Sequence, residues 1–191
     1  MSVRDTRTQI REAAIRLITA KGFEQTSLRE VAEDVGITKA SLYYHYASKA
    51  DLLAAIVEPV LDHMRSVTDE AVAMPYSDDA MRSVLRHYLS GLMQFRDEGA
   101  LLLRDTVAII NAIDDKYPAM VADSNRLYAW LAGPDANPEA HLRAIGALHL
   151  LGVALSSKEL VPTAGDDLVE RVLLDAAMAV LGPTAQSTQP A

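Results

Sequence analysis

Apolar residues recur at three- and four-residue spacing along almost the whole chain, so the pattern predicts helices and gives no strand signal. A first helix is expected over about Thr6–Lys21, with Ile10, Ala13, Ala14, Leu17 and Ile18 on one stripe and Gly22 ending it. Thr6-x-x-Gln9 reads as its capping box, and Phe23 as a plug for a small core. The stretch Ser27–Lys49 then holds three helix starts. Ser27-x-x-Glu30 is a capping box, in which the Ser oxygen accepts one free backbone N–H and Glu30 reaches back to another. Gly36 stops that helix in the left-handed conformation glycine tolerates. Thr38 caps a second helix over about Lys39–Tyr46, and Ser48 a third, with Asp51 at the box position. Val31, Ala32 and Val35 lie inward on the first, Ile37 in the turn, and Leu42 with Tyr46 on the second, which is helix-turn-helix spacing.

Beyond this, a long helix is expected over about Lys49–Ala73, with Pro59 inside it. Proline removes one hydrogen bond and clashes with the preceding turn, so a bend is expected near Ala55–Pro59, either a static kink or a pivot. Met74-Pro75-Tyr76-Ser77 is a loop, and the next helix is expected to run to about Glu98 and end at Gly99. A helix over about Ala100–Ile113 is apolar on most sides and therefore central. Another begins near Pro118 and ends at Gly133-Pro134. Asn137-Pro138-Glu139 starts one that reaches about Glu159, and Gly165-Asp166-Asp167 starts the last, which Gly182-Pro183 stops. The polar tail 184–191 is expected to fray. The fold class is all-α with about nine helices.

Charge changes this picture. The net charge is −8, but residues 1–50 hold eight Lys/Arg against six Asp/Glu, or +2, and residues 51–191 hold ten against twenty, or −10. One end suits DNA and the body is acidic. A single +2 module binds phosphate weakly, so two modules on a dimer are needed. There is no cysteine, which excludes disulfides and thiol catalysis. No apolar run reaches the ~18 residues that span a membrane, and the start MSVRDTRTQI lacks a signal-peptide apolar region, so the chain reads as cytoplasmic.

The second short helix carries Lys39, Ser41, Tyr43, Tyr44 and His45, all able to reach phosphates or base edges. Lys39 and Ser41 are candidate base readers, while Thr38, Tyr43, Tyr44 and His45 are candidate phosphate anchors. Tyr43 and Tyr44 point different ways on a helix, so at least one is equally a candidate for core packing. Ser27 is a cap that can also bind phosphate at a helix N-terminus. Arg29 points outward at the start of the first short helix, and Arg4, Arg7 and Arg11 are either phosphate contacts or a solvated face. Lys49 opens a helix whose dipole opposes its charge, which suggests a phosphate partner. His45 has no partner at metal-ligand spacing, and no metal or cofactor is expected.

The run Gly36-Ile-Thr-Lys-Ala-Ser-Leu-Tyr-Tyr-His-Tyr-x-Ser-Lys-x-x-Leu-Leu53 resembles the signature of the tetracycline-repressor (TetR-type) family of bacterial transcription regulators, over about residues 6–55. Further along, only the helix layout is similar. The resemblance implies a three-helix DNA-binding domain over 4–55, with its helix-turn-helix at about 27–46, and an effector-binding and dimerisation domain over 56–183. It favours DNA as the partner of Tyr43, His45 and Lys49, and makes Arg29 either a reader of guanine or an idle surface arginine. In the body, His87, Tyr88, Arg104, Asn111, Asn125 and Tyr128 are candidate ligand contacts, each also readable as core or solvated face. The last two long helices are apolar on more than one face, so Leu148, Gly152, Leu155, Val172 and Ala176 are candidate homodimer contacts or else part of the monomer's own core.

The expected function is a ligand-responsive regulator: a homodimer on a palindromic operator of double-stranded DNA, released by a small-molecule effector. Release by ligand is what the resemblance implies. The competing class is an all-helical carrier or enzyme. Against an enzyme stands the lack of a thiol, a metal-ligand cluster, a phosphate-binding Gly loop or a paired Ser/His arrangement.

Overall fold

The computed structural model describes residues 3–104, 106–113, 117 and 120–182, with side chains omitted at 3–5, 100, 102–104, 106, 107, 110 and 120. The described residues form eleven α-helices and no strand, in keeping with the all-α class. In order they are α1 (Val3–Lys21), α2 (Leu28–Val35), α3 (Lys39–His45), α4 (Lys49–Ala73), α5 (Asp78–Gln94), α6 (Arg96–Arg104), α7 (Thr106–Ile113), α8 (Met120–Ala132), α9 (Pro138–Leu151), α10 (Val153–Leu160) and α11 (Asp166–Leu181). Two compact units emerge. One comprises residues 1–59 and 97–118, the other 60–96 and 119–191. The family resemblance implies a boundary at 55–56.

In the first unit the apolar stripes meet as expected. Ile10, Ala13, Ala14 and Ile18 of α1, Leu28, Val31 and Ala32 of α2, Leu42 of α3 and Leu52, Leu53, Ile56 and Val57 of α4 are all buried, with Phe23 and Tyr46 among them. Thr6 does not cap α1, which already begins at Val3. Gly22 (φ 91) closes α1, its N–H donating to the Ile18 carbonyl at 2.7 Å.

The second unit has its own core, including Val67, Met81, Leu85, Leu89, Leu127, Leu131, Leu148, Leu151, Leu174 and Ala177. Helix α11 packs along α9 and also touches α5, while α8 also packs on α9. Two helix ends differ from the sequence pattern. The α5–α6 turn falls at Phe95 (ψ 41), and Gly99 lies inside α6. The corner is held by Arg96, a buried residue whose Nε donates to the Ala154 carbonyl (3.3 Å) and Nη2 to Asp166 (2.9 Å). The expected helix from Pro138 divides at Gly152, whose N–H donates to the His149 carbonyl at 3.0 Å in a tighter turn than the α-helical one. Pro118 and the tail 184–191 lie outside the described residues.

Taken across Gly152, Pro138–Leu160 is the one segment among the described residues long and apolar enough to cross a membrane by length and composition. Only 33% of that window is buried inside the protein.

A polar cluster links α4 and α5. The His63 Nε2–H donates to the His87 carbonyl at 3.0 Å, which fixes its neutral tautomer. The His87 Nδ1 meets Glu70 at 2.6 Å. Burial lowers the His63 pKa below its ordinary 6.5; the His87 carbonyl opposes this and the His87 charge adds to it. A folded-state pKa below the unfolded one means that the unfolded chain takes up the proton first. The His63 contribution is therefore complete above about pH 6.5 and is lost as the pH falls from there towards the folded value. Thermal unfolding between pH 7.5 and 5.5 should show a steeper loss of Tm in the wild type than in His63→Gln; parallel profiles would remove His63 from the account.

Candidate nucleic-acid interface

The geometry of α2 and α3 follows from their caps. Ser27 is extended (φ −108, ψ 151), and its hydroxyl oxygen accepts the Glu30 N–H at 3.3 Å. In return, the Ser27 N–H and hydroxyl donate to the Glu30 carboxylate at 2.9 and 2.7 Å. Glu30 also pairs with Lys21. These bonds, Lys21 first and Ser27 next, hold the Glu30 carboxyl down at about 2. Gly36 (φ 75) ends α2 in the left-handed conformation, and the Ile37 N–H returns to the Ala32 carbonyl at 3.0 Å. Thr38 then caps α3 by accepting the Ser41 N–H at 3.1 Å. Ser48 accepts the Asp51 N–H at 3.0 Å and starts α4.

Leu42 and Tyr46 are the inward anchors of this segment, at 0% and 3% exposure, and they leave Lys39, Ala40, Tyr43 and Tyr44 outward. Neither Tyr43 (44% exposed) nor Tyr44 (82%) is core packing; Tyr46 fills that place. The Lys39 ammonium lies 5.5 Å from the centre of the Tyr43 ring, a cation–π distance. The Tyr44 and His45 rings meet edge to face at 5.4 Å. Ser41 and His45 are half-buried. The structure thus puts Thr38, Lys39, Ser41, Tyr43, Tyr44 and His45 on one short helix and its cap, with Ser27 and Arg29 at the start of the packed neighbour α2.

Two predicted residues have partners inside the protein. Lys49 donates to the Glu24 carbonyl at 3.2 Å and sits 4.1 Å over the Phe23 ring, and burial lowers its pKa. These contacts explain a lysine at a helix start without a phosphate. Arg29 donates from Nε to Glu33 one turn on, at 2.7 Å, and this bond raises its pKa further. Arg16 likewise pairs with Asp34 at 2.6 Å. Arg7, which sequence alone leaves between phosphate contact and solvated face, stacks over Tyr46 at 5.2 Å. The aromatic at position 46 is its only sequence signal.

The body candidates are more scattered. Arg104 and Asn111 belong to the first unit, and the Arg104 side chain lies outside the described residues. Asn111 is exposed. His87, Tyr88, Asn125 and Tyr128 belong to the second unit. There Asn125 is exposed and His87 is engaged by Glu70. Burial pushes the Tyr88 phenol well up, and Tyr128 adds to it. Among the dimer candidates, Leu148 and half-buried Leu155 pack in the unit's own core, and Gly152 makes the α9–α10 turn. Val172 is exposed and Ala176 half-buried. The outward apolar residues here are Leu142, Ile145, Val153, Leu160, Leu168 and Val172, and several of them border an apolar cleft of about 300 Å³ between α10 and α11.

Residues 10–56 match the family described as bacterial regulatory proteins, tetR family. The helix-turn-helix domain belongs to the TetR family. The chain is 35% identical over 75 residues to the HTH-type transcriptional regulator TtgR of Pseudomonas putida, covering 39% of this chain and 34% of that protein. It is 37% identical over 59 residues to the biofilm operon negative transcriptional regulator IcaR of Staphylococcus aureus, covering 31% and 32%. The chain therefore matches about a third of the length of these relatives. In fold, the chain is similar to the crystal structure of Mycobacterium smegmatis AmtR, with a TM-score of 0.75 and 23% identity over 95% of this chain and 87% of that one.

Proposed function

We propose that the protein is a transcriptional repressor that binds a palindromic operator as a homodimer and is released by a small-molecule effector. The observation that carries this reading is the outward set Lys39, Tyr43 and Tyr44 on a capped, anchored α3, within a TetR-type helix-turn-helix. A helix so placed enters a major groove with its N-terminal residues toward the bases. Lys39 and Ser41 would read base edges; Ser27, Arg29, Thr38, Tyr43, Tyr44 and His45 would hold phosphates or neighbouring bases. Lys49 would contribute only after leaving Glu24 and Phe23. Negative control is supported by the similarity to IcaR, a negative transcriptional regulator. The outward apolar residues of α9, α10 and α11 support a two-fold partner copy, since patches of this kind mark interaction sites. An effector would meet the second unit near Tyr88 and Tyr128, with His87 and Asn125 as further candidates. It must bind the two states with different affinity in order to shift them.

Selection from a random duplex pool tests the reading. A two-fold symmetric site should be enriched, with half-sites about one helical turn apart or a multiple of it. Lys39→Ala/Tyr43→Ala should bind that site about thirtyfold more weakly, the loss of roughly 2 kcal/mol expected for a groove contact and an anchor. Enrichment of no sequence at low salt would overturn the proposal.

A further inference from the structure

The basic residues around the helix-turn-helix are mostly neutralised by the protein itself. Arg16 pairs with Asp34, Lys21 with Glu30 and Arg29 with Glu33, while Lys49 is held by Glu24 and Phe23. On α3, Lys39 has no carboxylate partner among the described residues. These pairs differ in kind. Glu30 is bound into the α2 cap as well as to Lys21, so its charge has a structural task. Glu33 has none of that sort. Its side chain is 60% exposed and accepts a hydrogen bond from the Arg29 guanidinium, itself 77% exposed. Arg29 is the second residue of α2, beside the Ser27 cap whose end of the helix attracts phosphate.

From this placement we infer that Glu33 sets specificity, by holding Arg29 off non-specific phosphate until an operator offers it a better acceptor. The inference rests on the DNA-binding reading above. On mixed-sequence DNA, Arg29 gains one phosphate contact but leaves Glu33 unpaired beside the polyanion, and the exchange is nearly neutral. On the operator, Arg29 finds a fixed acceptor, guanine O6/N7 or a positioned phosphate, and the guanidinium fork matches it in two bonds. Glu33 is thus a positioning residue that acts through Arg29.

The test compares wild type, Glu33→Gln, Arg29→Ala and the double variant on two duplexes, the selected operator and a mixed sequence, across 50–200 mM salt. Glutamine keeps the length and an acceptor oxygen while removing the charge. One freed cation per head steepens the logarithmic salt slope by about 0.9, or about 1.8 for a dimer, so Glu33→Gln should bind mixed sequence about tenfold more tightly at the low-salt end. Operator affinity should rise by much less, and the ratio between the two duplexes should fall. The gain should vanish in the Arg29→Ala background. An unchanged salt slope in Glu33→Gln overturns the inference, and so does a gain that survives at full size without Arg29, which would make Glu33 a general charge. If wild type selects no operator, the regulator reading fails first and takes the inference with it.

Discussion

Leu42→Ala is expected to cost the first unit about 3 kcal/mol and to remove operator binding, whereas Leu42→Met should retain most of both. A buried leucine truncated to alanine loses its transfer energy and leaves a cavity, for about 2–5 kcal/mol in all. The position makes the loss local and functional. Helix α3 has seven residues, far too few to be helical alone. It is held by the Thr38 cap, by Tyr46 just beyond its end and by Leu42, the one residue within it that is buried. Without Leu42, the outward Lys39 and Tyr43 keep their chemistry but lose their fixed direction. Hydrogen exchange at the α3 amides reads the effect without requiring the whole chain to unfold together. Protection falling by about two powers of ten, for 3 kcal/mol at 1.4 kcal/mol per decade, is the expected result. Protection equal to wild type would mean that the caps alone hold α3.

The same residues explain why this segment was legible in the sequence. Ser27, Glu30, Gly36, Thr38 and Ser48 act on their own neighbours, within four or five residues, and such short-range chemistry survives without knowledge of the fold. Thr6 fails for a related reason: a hydroxyl three residues before Gln9 is a box only where a helix begins, and α1 has already started at Val3. The α5–α6 corner was not legible because its cause is tertiary. Gly99 is the local helix breaker, yet the turn falls at Phe95, where Arg96 reaches Ala154 and Asp166, more than fifty residues away in sequence. Gly152 adopts an ordinary right-handed conformation, so nothing in its own preference announces the division of α9 from α10.

Side-chain roles were legible to the extent that a single partner decides them. Lys49 at a helix start reads as electrostatically misplaced, which suggests a phosphate partner. The structure supplies a partner inside the protein instead, a carbonyl and a ring, brought together by the loop after α1. Of the three neighbouring tyrosines, helical spacing separates Tyr43 from Tyr44 but does not say which of the three turns inward. Burial of Tyr46 beneath Arg7 answers that. Leu148 shows the limit on the apolar side. Helices α9 and α11 each have an inward and an outward apolar face, and periodicity alone cannot tell Leu148 from Leu142.

The second large effect is expected at Gly91. Alanine normally stabilises a helix interior over glycine by about 1 kcal/mol, so Gly91→Ala on α5 should be favourable if helix propensity decided it. A Cβ there would lie 2.0 Å from His63 Cδ2, 2.1 Å from Nε2 and 2.8 Å from Cγ. Three atoms of a rigid ring, including the one next to its stem, cannot be cleared by a small rotation. The ring must leave, and with it go the Nε2–H bond to the His87 carbonyl at 3.0 Å and the edge contact with the His87 ring at 4.8 Å. Overpacking costs typically 1–3 kcal/mol and here loses a hydrogen bond as well, so a net destabilisation of about 3 kcal/mol is expected. The partner substitution separates clash from propensity. His63→Ala alone should cost about 1 kcal/mol, the net worth of its hydrogen bond. Gly91→Ala/His63→Ala should then be no less stable than His63→Ala, giving a coupling of about 3 kcal/mol, within the range seen for residues in contact. Denaturant unfolding of the four proteins measures it. A neutral Gly91→Ala would mean that α4 and α5 move apart at little cost, and the close crossing that Gly91 permits would then have no part in holding the second unit together.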